Sequence, residues 1–141
     1  MVRDLLWAWF LLASCVVIHS IALTWILRRL PRMIPVREGE FWPTTRLLVR
    51  LAGYLVLAHV AEVLVFSTFY YLQGAFPDPK TCAYFSVVTY TTVGYGDLTP
   101  PEALRLTAGV EGLTGILMCG WSTGFFFAVV NRFYRLDRHV P

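Results

Sequence analysis

Long apolar runs alternate with short polar segments along this chain. The first run covers residues 5–27, the second covers residues 47–72, and the third begins near Thr99 and ends near Val130. A helix rises about 1.5 Å per residue, so about 20 apolar residues cross the hydrocarbon core of a bilayer. All three runs are longer than that. The pattern predicts an all-α membrane protein with three transmembrane helices.

A shorter apolar segment, residues 83–91, lies between the second and third runs. It is too apolar for a solvent-exposed loop and too short to cross a membrane. Asp78 followed by Pro79 is typical of a helix start, because an aspartate caps the first turn and a proline needs no amide partner there. We predict a re-entrant pore helix followed by extended backbone, which is tolerated at membrane depth only where protein surrounds it or water lines it.

The polar segments set the predicted boundaries. Three prolines are expected to prevent a continuous helix between the first two runs, and Thr44 or Thr45 is expected to cap the outer helix. Thr99-Pro100-Pro101-Glu102 has the pattern of a capping box at the start of the inner helix. The chain is predicted to consist of an N-terminal transmembrane helix at 1–27, a basic connector at 28–46, a pore module at 47–131 and a tail at 132–141. Within the pore module, we predict an outer helix at 47–72, a pore helix at 79–91, an extended segment at 92–96 and an inner helix at 99–131.

The first run has a second interpretation. Arg3 precedes it, and residues 12–15 resemble a lipoprotein cleavage box. However, apolar residues continue for a further helix beyond Cys15, where a mature lipoprotein normally turns polar. The run has no arginine at every third position, so it does not have the pattern of a voltage sensor. His19 is interpreted as a hydrogen-bonded histidine within the helix.

Composition and charge support the membrane assignment and orient it. The chain of 141 residues is 57% hydrophobic and 15% charged, with mean hydropathy +0.58, too apolar for a soluble domain of this size. Nine of the twelve Lys and Arg residues lie in 28–50 or after residue 131. The positive-inside rule then predicts a multi-pass protein of the cell membrane (plasma or inner membrane). It places the connector and the tail in the cytoplasm and the N-terminus on the extracellular or periplasmic side. The three cysteines are not arranged as CxxC; Cys15 and Cys119 are expected to be buried, and Cys82 to be a free thiol or an intersubunit partner.

The segment after the predicted pore helix reads TVGYG, at Thr92, Val93, Gly94, Tyr95 and Gly96, and is followed by Asp97. The span, pore helix, TVGYGD and span pattern of residues 47–131 resembles the two-transmembrane pore module of the potassium channel superfamily. The resemblance implies a selectivity filter in which Thr92, Val93, Gly94, Tyr95 and Gly96 coordinate the ion, with K⁺ at Thr92, Val93, Gly94 and Tyr95 and with Asp97 at the outer mouth. The glycines permit the backbone conformations that aim carbonyls at a cation. One chain supplies one strand of ligands, so a homotetramer in the lipid bilayer is expected, with K⁺ as the transported ion, no cofactor and no nucleic acid partner.

The resemblance also implies supporting residues, with three departures from the family pattern. A gating hinge is expected at Gly115, with Gly112 and Gly120 as neighbours, although close helix packing is the alternative role. Tyr84 and Phe85 stand where the simplest bacterial members have tryptophans that brace the filter, and Phe85 has no hydrogen to donate. Val88 stands where some members have a glutamate behind the filter. An extra span precedes the module.

Two acidic residues, Glu62 and Glu111, are expected inside membrane helices at similar depth. His59 and Glu62 share one helix face at i, i+3. Intramembrane acids are candidates for function. We hypothesise that one or both glutamates brace the pore helix from behind and so tune the filter. The alternative is a buried carboxyl group bonded within its own subunit.

These features predict a potassium-selective channel that conducts passively. The alternative is a non-conducting or regulatory membrane subunit with a filter-like loop. The sequence shows no nucleophile and base pair, no metal-ligand cluster and no phosphate-binding loop, so no enzyme activity is expected. The gating stimulus stays open between a bundle crossing near Asn131, protonation of a glutamate or histidine, and gating at the filter.

Overall fold

A computed structural model describes residues 2–33 and 41–136 of the chain. These residues form helices and connecting turns with no strand between them. Three of the helices are long and apolar enough to cross a membrane, which confirms the all-α membrane fold. The elements are α1 (Val2–Met33), α2 (Phe41–Leu72), α3 (Pro79–Tyr90), a short 3₁₀ turn (Glu102–Leu104) and α4 (Arg105–Leu136).

The connector between the first two spans is shorter than the sequence predicts. α1 continues to Met33, and α2 begins at Phe41 rather than at residue 47. Pro43 lies in the first turn of α2, where its missing amide hydrogen breaks no helical bond. Thr45 does not cap the helix: its hydroxyl donates to the Phe41 carbonyl at 2.9 Å inside the first turn. The rest of the predicted connector, residues 34–40, and tail residues 137–141 lie outside the described residues.

The start of α3 agrees with the prediction. Asp78 has extended backbone, and its carboxylate accepts from the Thr81 amide at 2.9 Å and from the Thr81 hydroxyl at 2.7 Å. These hydrogen bonds stabilise the charged form, so they lower the pKa of Asp78. The helix ends at Tyr90 after 12 residues, too few to cross a bilayer.

The start of the inner helix differs from the prediction. Thr99 is not a cap, because the chain remains extended at Pro101, with φ −49° and ψ 149°, and no side chain caps the turn that follows. A residue before a proline is disfavoured in helical geometry, and two consecutive prolines therefore keep the chain out of a helix until Glu102. α4 proper begins at Arg105.

The extra first helix is part of the core rather than an appendage. α1 packs against both α2 and α4, and α3 lies between α2 and α4. One apolar cluster, which includes Leu11, Phe69 and Phe85, surrounds the start of α3, and a second, which includes Ile26, Leu51 and Val129, joins the other ends of α1, α2 and α4. A layer of buried polar residues on all four helices separates these two clusters.

The cysteines follow the prediction in part. Cys15 is buried, as expected of a small apolar residue. Cys82 is a free thiol fully buried within the subunit, which does not favour an intersubunit disulfide. Cys119 is exposed on the surface of the single subunit, and the prediction that it is buried there is wrong.

Candidate functional site

The TVGYG segment leaves the end of α3 with an alternating backbone. Thr92, Gly94 and Gly96 have φ values of 59°, 56° and 78°, whereas Val93 and Tyr95 between them do not have positive φ. In an ordinary strand, successive residues face opposite sides. When residues with positive φ alternate with residues without it, as here, successive carbonyl oxygens instead turn toward one side. The glycines thus occupy conformations that favour glycine, as predicted, while the positive φ of Thr92 was not foreseen.

Backbone hydrogen bonds tie the beginning of this segment to α3. The Thr92 amide donates to the Thr89 carbonyl at 3.0 Å, and the Gly94 amide donates to the Val88 carbonyl at 3.2 Å. Val88 is a predicted supporting residue. Its side chain is buried, and its carbonyl group accepts the hydrogen bond from Gly94. The segment is held at the end of the pore helix, with the carbonyls of its own residues left for other partners.

The two aromatic residues predicted to support the filter have different surroundings. The Tyr84 hydroxyl donates to Asp97 Oδ2 at 2.8 Å, which joins α3 to the residue after the TVGYG segment. The carboxylate acceptor raises the pKa of Tyr84. Phe85 is buried instead, with its ring centroid 5.1 Å from that of Tyr70 and 4.9 Å from that of Phe76. Tyr84 thus holds Asp97 through its hydroxyl, whereas Phe85 packs against Tyr70 and Phe76 and has no hydrogen to donate to Tyr95.

Glu111 of α4 is fully buried against the back of α3. Its Oε1 lies 2.5 Å from Ser86 Oγ, and its Oε2 accepts from the Tyr70 hydroxyl at 2.8 Å. Ser86 Oγ also lies 3.0 Å from the Val63 carbonyl. Ser86 has one hydroxyl hydrogen for two acceptors. A protonated Glu111 satisfies both contacts, because it donates to Ser86 while Ser86 donates to Val63.

Glu62 of α2 belongs to a second buried polar cluster. Its Oε1 lies 2.7 Å from His19 Nδ1, and its Oε2 accepts from the Tyr90 hydroxyl and lies 3.2 Å from His59 Nδ1. The Nε2 atoms of His19 and His59 lie 3.1 and 3.0 Å from Ser122 Oγ. This polar cluster, defined by His19, His59, Glu62, Tyr90 and Ser122, joins all four helices. His19 is hydrogen-bonded, as predicted.

The sequence did not reveal the partners of the two glutamates. Ser86 and Tyr90 were missed, although they stand at i, i+4 on α3 and so share one face. The sequence shows no metal-ligand cluster, whereas the fold brings His19, His59 and Glu62 within 4.8 Å of one another through one ligand atom each. His19 lies 40 or more positions from the other two residues, on a different helix. His59 and Glu62 lie on one helix at i, i+3, a spacing that is common without any metal.

A protein-family model described as "Ion channel" matches residues 58–132, which is more than half of the chain. The chain belongs to this ion-channel family. The chain is also similar to two curated proteins, and it spans about a quarter of the length of one and less than a fifth of the other. It is 38% identical over 89 residues to "Probable potassium channel protein 2" of Methanocaldococcus jannaschii, covering 60% of this chain and 26% of that protein. It is 26% identical over 95 residues to "Potassium voltage-gated channel protein Shal" of Drosophila melanogaster, covering 62% of this chain and 17% of that protein. No solved structure matches the chain significantly.

The family match includes the three glycines predicted to act as a hinge, and these differ in their surroundings. A Cβ atom at Gly115 would overlap the backbone carbonyl of Tyr90, whereas a Cβ at Gly112 would lie 3.5 Å from the Thr89 carbonyl and one at Gly120 would meet nothing within 4 Å. Gly115 therefore allows the end of the pore helix to touch α4. α4 is a continuous helix through all three positions, and the hinge remains a prediction.

The TVGYG segment is exposed in the single subunit. Residues 92–97 are all exposed, and the side chains of Val93 and Tyr95 are 53% and 72% exposed. Leu113, Ile116 and Leu117 on α4 are also exposed apolar residues. Contiguous exposed apolar surface on a protein marks contact with another protein or with lipid.

Proposed function

We propose that this chain is the subunit of a potassium-selective channel, in which four copies surround one pore and Thr92, Val93, Gly94, Tyr95 and Gly96 form the filter. The observation that carries the proposal is the alternation of backbone hand at Thr92, Gly94 and Gly96. A filter needs carbonyl oxygens that replace the hydration shell of the ion at several successive positions. Alternating hand supplies such a row, and it requires glycine at positions that other residues rarely adopt.

The tetramer is proposed because one row of carbonyls cannot surround an ion. Cyclic assembly of four chains gives each site a ring of oxygen ligands. The exposed Val93 and Tyr95 side chains are consistent with subunit contacts beside the filter. The positive-inside rule supports a topology in which the N-terminus and the filter lie on the outer side and the C-terminus lies in the cytoplasm.

The support of the filter is proposed to come from three hydrogen-bonded groups. Tyr84 holds the outer mouth through Asp97, Glu111 holds α3 through Ser86, and Glu62 holds the end of α3 through Tyr90. The last two contacts agree with the hypothesis that intramembrane glutamates brace the pore helix from behind. Because all of them lie within one subunit, they also agree with the simpler role of bonded carboxyl groups. The two roles differ in whether loss of the contact changes selectivity.

Ion flux into liposomes that contain only this purified chain tests the proposal. Valinomycin added at the end gives the total vesicle capacity for K⁺. We expect uptake of K⁺ that far exceeds uptake of Na⁺ and is absent from protein-free liposomes. A folded tetramer without flux would indicate the alternative, a non-conducting or regulatory subunit, and equal K⁺ and Na⁺ flux would exclude a selective filter.

A further inference from the structure

The polar cluster of His19, His59, Glu62, Tyr90 and Ser122 has one proton too few for its own contacts. The cluster contains six short polar contacts, and each contact needs one hydrogen. If one hydrogen on His59 Nδ1 is shared between Glu62 and Tyr90, five hydrogens are needed in total. Two neutral histidines, a tyrosine and a serine supply four hydrogens to a glutamate carboxylate. With these protonation states, at least one contact brings two acceptor atoms together with no hydrogen between their lone pairs. Either one additional proton or a metal ion would complete these contacts.

The atoms that converge there are metal ligands by type and spacing. His19 Nδ1 lies 2.7 Å from Glu62 Oε1, and His59 Nδ1 lies 3.2 Å from Glu62 Oε2. Two imidazole nitrogens and a carboxylate oxygen are typical ligands of Zn²⁺, whose tetrahedral geometry at about 2.0–2.1 Å sets neighbouring ligand atoms about 3.3 Å apart. The 3.2 Å distance is already close to that value, whereas the 2.7 Å distance must lengthen by about 0.6 Å, and all three ligand atoms lie within 4.8 Å of one another. The Tyr90 hydroxyl oxygen, 2.9 Å from His59 Nδ1, stands beside them in the fourth position.

Ser122 provides the support that metal-binding histidines usually have. A ligating histidine almost always donates its other ring N–H to a fixed acceptor, which sets the tautomer and the ring orientation. Here one hydroxyl oxygen lies 3.1 Å from His19 Nε2 and 3.0 Å from His59 Nε2. Ser122 Oγ has two lone pairs and can accept from both rings. Both Nδ1 lone pairs then face Glu62, and a metal ion between them would take the place of the hydrogen that each of these two contacts lacks in this arrangement.

We propose that His19, His59 and Glu62 form a site for a divalent transition metal of the zinc class that joins α1 to α2 beside the end of the pore helix. Glu62 offsets one of the two positive charges of the ion. The side chain of His59 is 20% exposed in the subunit, so the cluster is not fully enclosed by its own subunit. Metal binding draws Glu62 and Tyr90 toward the ion, and Tyr90 is the last residue of α3, ahead of the filter. Occupancy of the site therefore regulates ion flow; this regulatory part rests on the proposed channel function.

Metal binding to the purified, chelator-treated full chain tests the site without any flux measurement. With zinc chloride in a calorimeter, we expect one ion bound per chain, and with cobalt(II) the visible absorption bands of a tetrahedral site with nitrogen and oxygen ligands. His19→Gln and His59→Gln should each lose the bands and weaken zinc binding at least tenfold. Ser122→Ala should weaken binding about 10–100-fold, as expected for an outer partner of a ligand.

The controls separate this site from adventitious ones. His139→Gln removes the remaining histidine of the chain, and Cys15→Ala and Cys119→Ala remove thiols on the same helices; all three should bind zinc as the unmodified chain does. Size-exclusion chromatography establishes that each variant keeps the same assembly. Absence of zinc binding, or binding that survives in His19→Gln and His59→Gln, would overturn the proposal and leave a cluster that holds only a proton.

A flux measurement then tests the regulatory part. Added zinc should change K⁺ flux through the unmodified chain and not through His19→Gln, and a chelator should reverse the change. Binding without an effect on flux would overturn the regulation. If the chain carries no K⁺ flux at all, the proposed channel function fails while the binding result still decides the metal site.

Discussion

The hydroxyl of Tyr90 donates a hydrogen bond to the carboxylate of Glu62, which joins the last residue of the pore helix to the middle of the outer helix. Both side chains are buried, Tyr90 at 2% and Glu62 at 0% exposure. His19 of the extra first helix contacts the same carboxylate. α1 is therefore connected to the end of α3, next to the TVGYG segment, through two hydrogen bonds in series.

Loss of the Tyr90 hydroxyl is expected to weaken the subunit. Tyr90→Phe removes a donor to a buried carboxylate, which should lower the free energy of unfolding by about 1–3 kcal/mol. Tyr71, which is 49% exposed on α2, offers a matched control, and Tyr71→Phe should be neutral. Thermal unfolding in detergent measures both. Equal melting temperatures for the two variants would show that the contact with Glu62 does not stabilise the protein.

The contact between Gly115 and the end of α3 predicts a sharp difference between two glycines of one helix. Gly115→Ala places a methyl group in the Tyr90 carbonyl, and the overpacking should cost about 1–3 kcal/mol and reduce K⁺ flux. Gly120→Ala meets nothing within 4 Å and should be neutral or slightly stabilising. Melting temperature and flux are measured on both. If Gly120→Ala is the harmful one, the hinge position matters more than the packing.

The left-handed backbone at Gly94 predicts a specific loss of selectivity. Gly94→Ala forces an alanine to φ near 56°, a conformation that costs about 1–2 kcal/mol, or the carbonyl must turn away. We expect the ratio of K⁺ to Na⁺ flux to fall about tenfold. Gly53→Ala on α2, with open space around it, should keep the ratio. An unchanged ratio in Gly94→Ala would argue against a filter made from these carbonyls.

The hydrogen count around Glu111 predicts which replacement is tolerated. Glu111→Gln can donate to Ser86 and accept from Tyr70, as a protonated glutamate does, so assembly and flux should be retained. Glu111→Leu leaves the Tyr70 hydroxyl buried without an acceptor and should destabilise the protein by about 1–3 kcal/mol. Chromatography and flux compare the two. A large loss in Glu111→Gln would show that Glu111 acts as a carboxylate.

Asp78 predicts a dependence of stability on pH. Its pKa is lowered by the hydrogen bonds from Thr81, so the carboxylate stabilises the folded state above the ordinary aspartate pKa of about 3.9. That contribution is complete at neutral pH and is lost as the pH falls below about 4. Asp78→Asn keeps a capping side chain that does not ionise. Melting temperatures across pH should therefore fall more steeply for the unmodified chain than for Asp78→Asn, and parallel curves would contradict this.

The sequence predicted the elements whose causes are local. Length and hydropathy gave the three spans, and the pair Asp78-Pro79 gave the start of the pore helix to the residue. The prediction failed where a local signal competed with another. The sequence of residues 99–102 matches the pattern of a capping box. However, Pro100 and Pro101 keep the chain extended there, and no side-chain capping hydrogen bond forms. Pro43 was expected to stop a helix, and it lies in a first turn where proline is tolerated.

The contacts behind the filter were beyond the sequence because they depend on how helices pack. Glu62 and Glu111 could be singled out, since an acid inside an apolar run is unusual. Their partners could not be assigned, because Ser86, Tyr70 and Ser122 are ordinary residues until the fold aligns them. His19 shows this most clearly: it stands alone in its apolar run and contacts Glu62, 43 residues away, at 2.7 Å.

Single-channel recording under a bi-ionic gradient tests the central claim most directly. The purified chain is placed in a planar bilayer with K⁺ on one side and Na⁺ on the other, and the reversal potential is read. A filter built from residues 92–96 of four subunits should give a reversal potential displaced far from zero in the direction of K⁺ selectivity, and Gly94→Ala should bring it back toward zero. A reversal at zero in the unmodified chain, or no channel openings from an intact tetramer, would contradict the account.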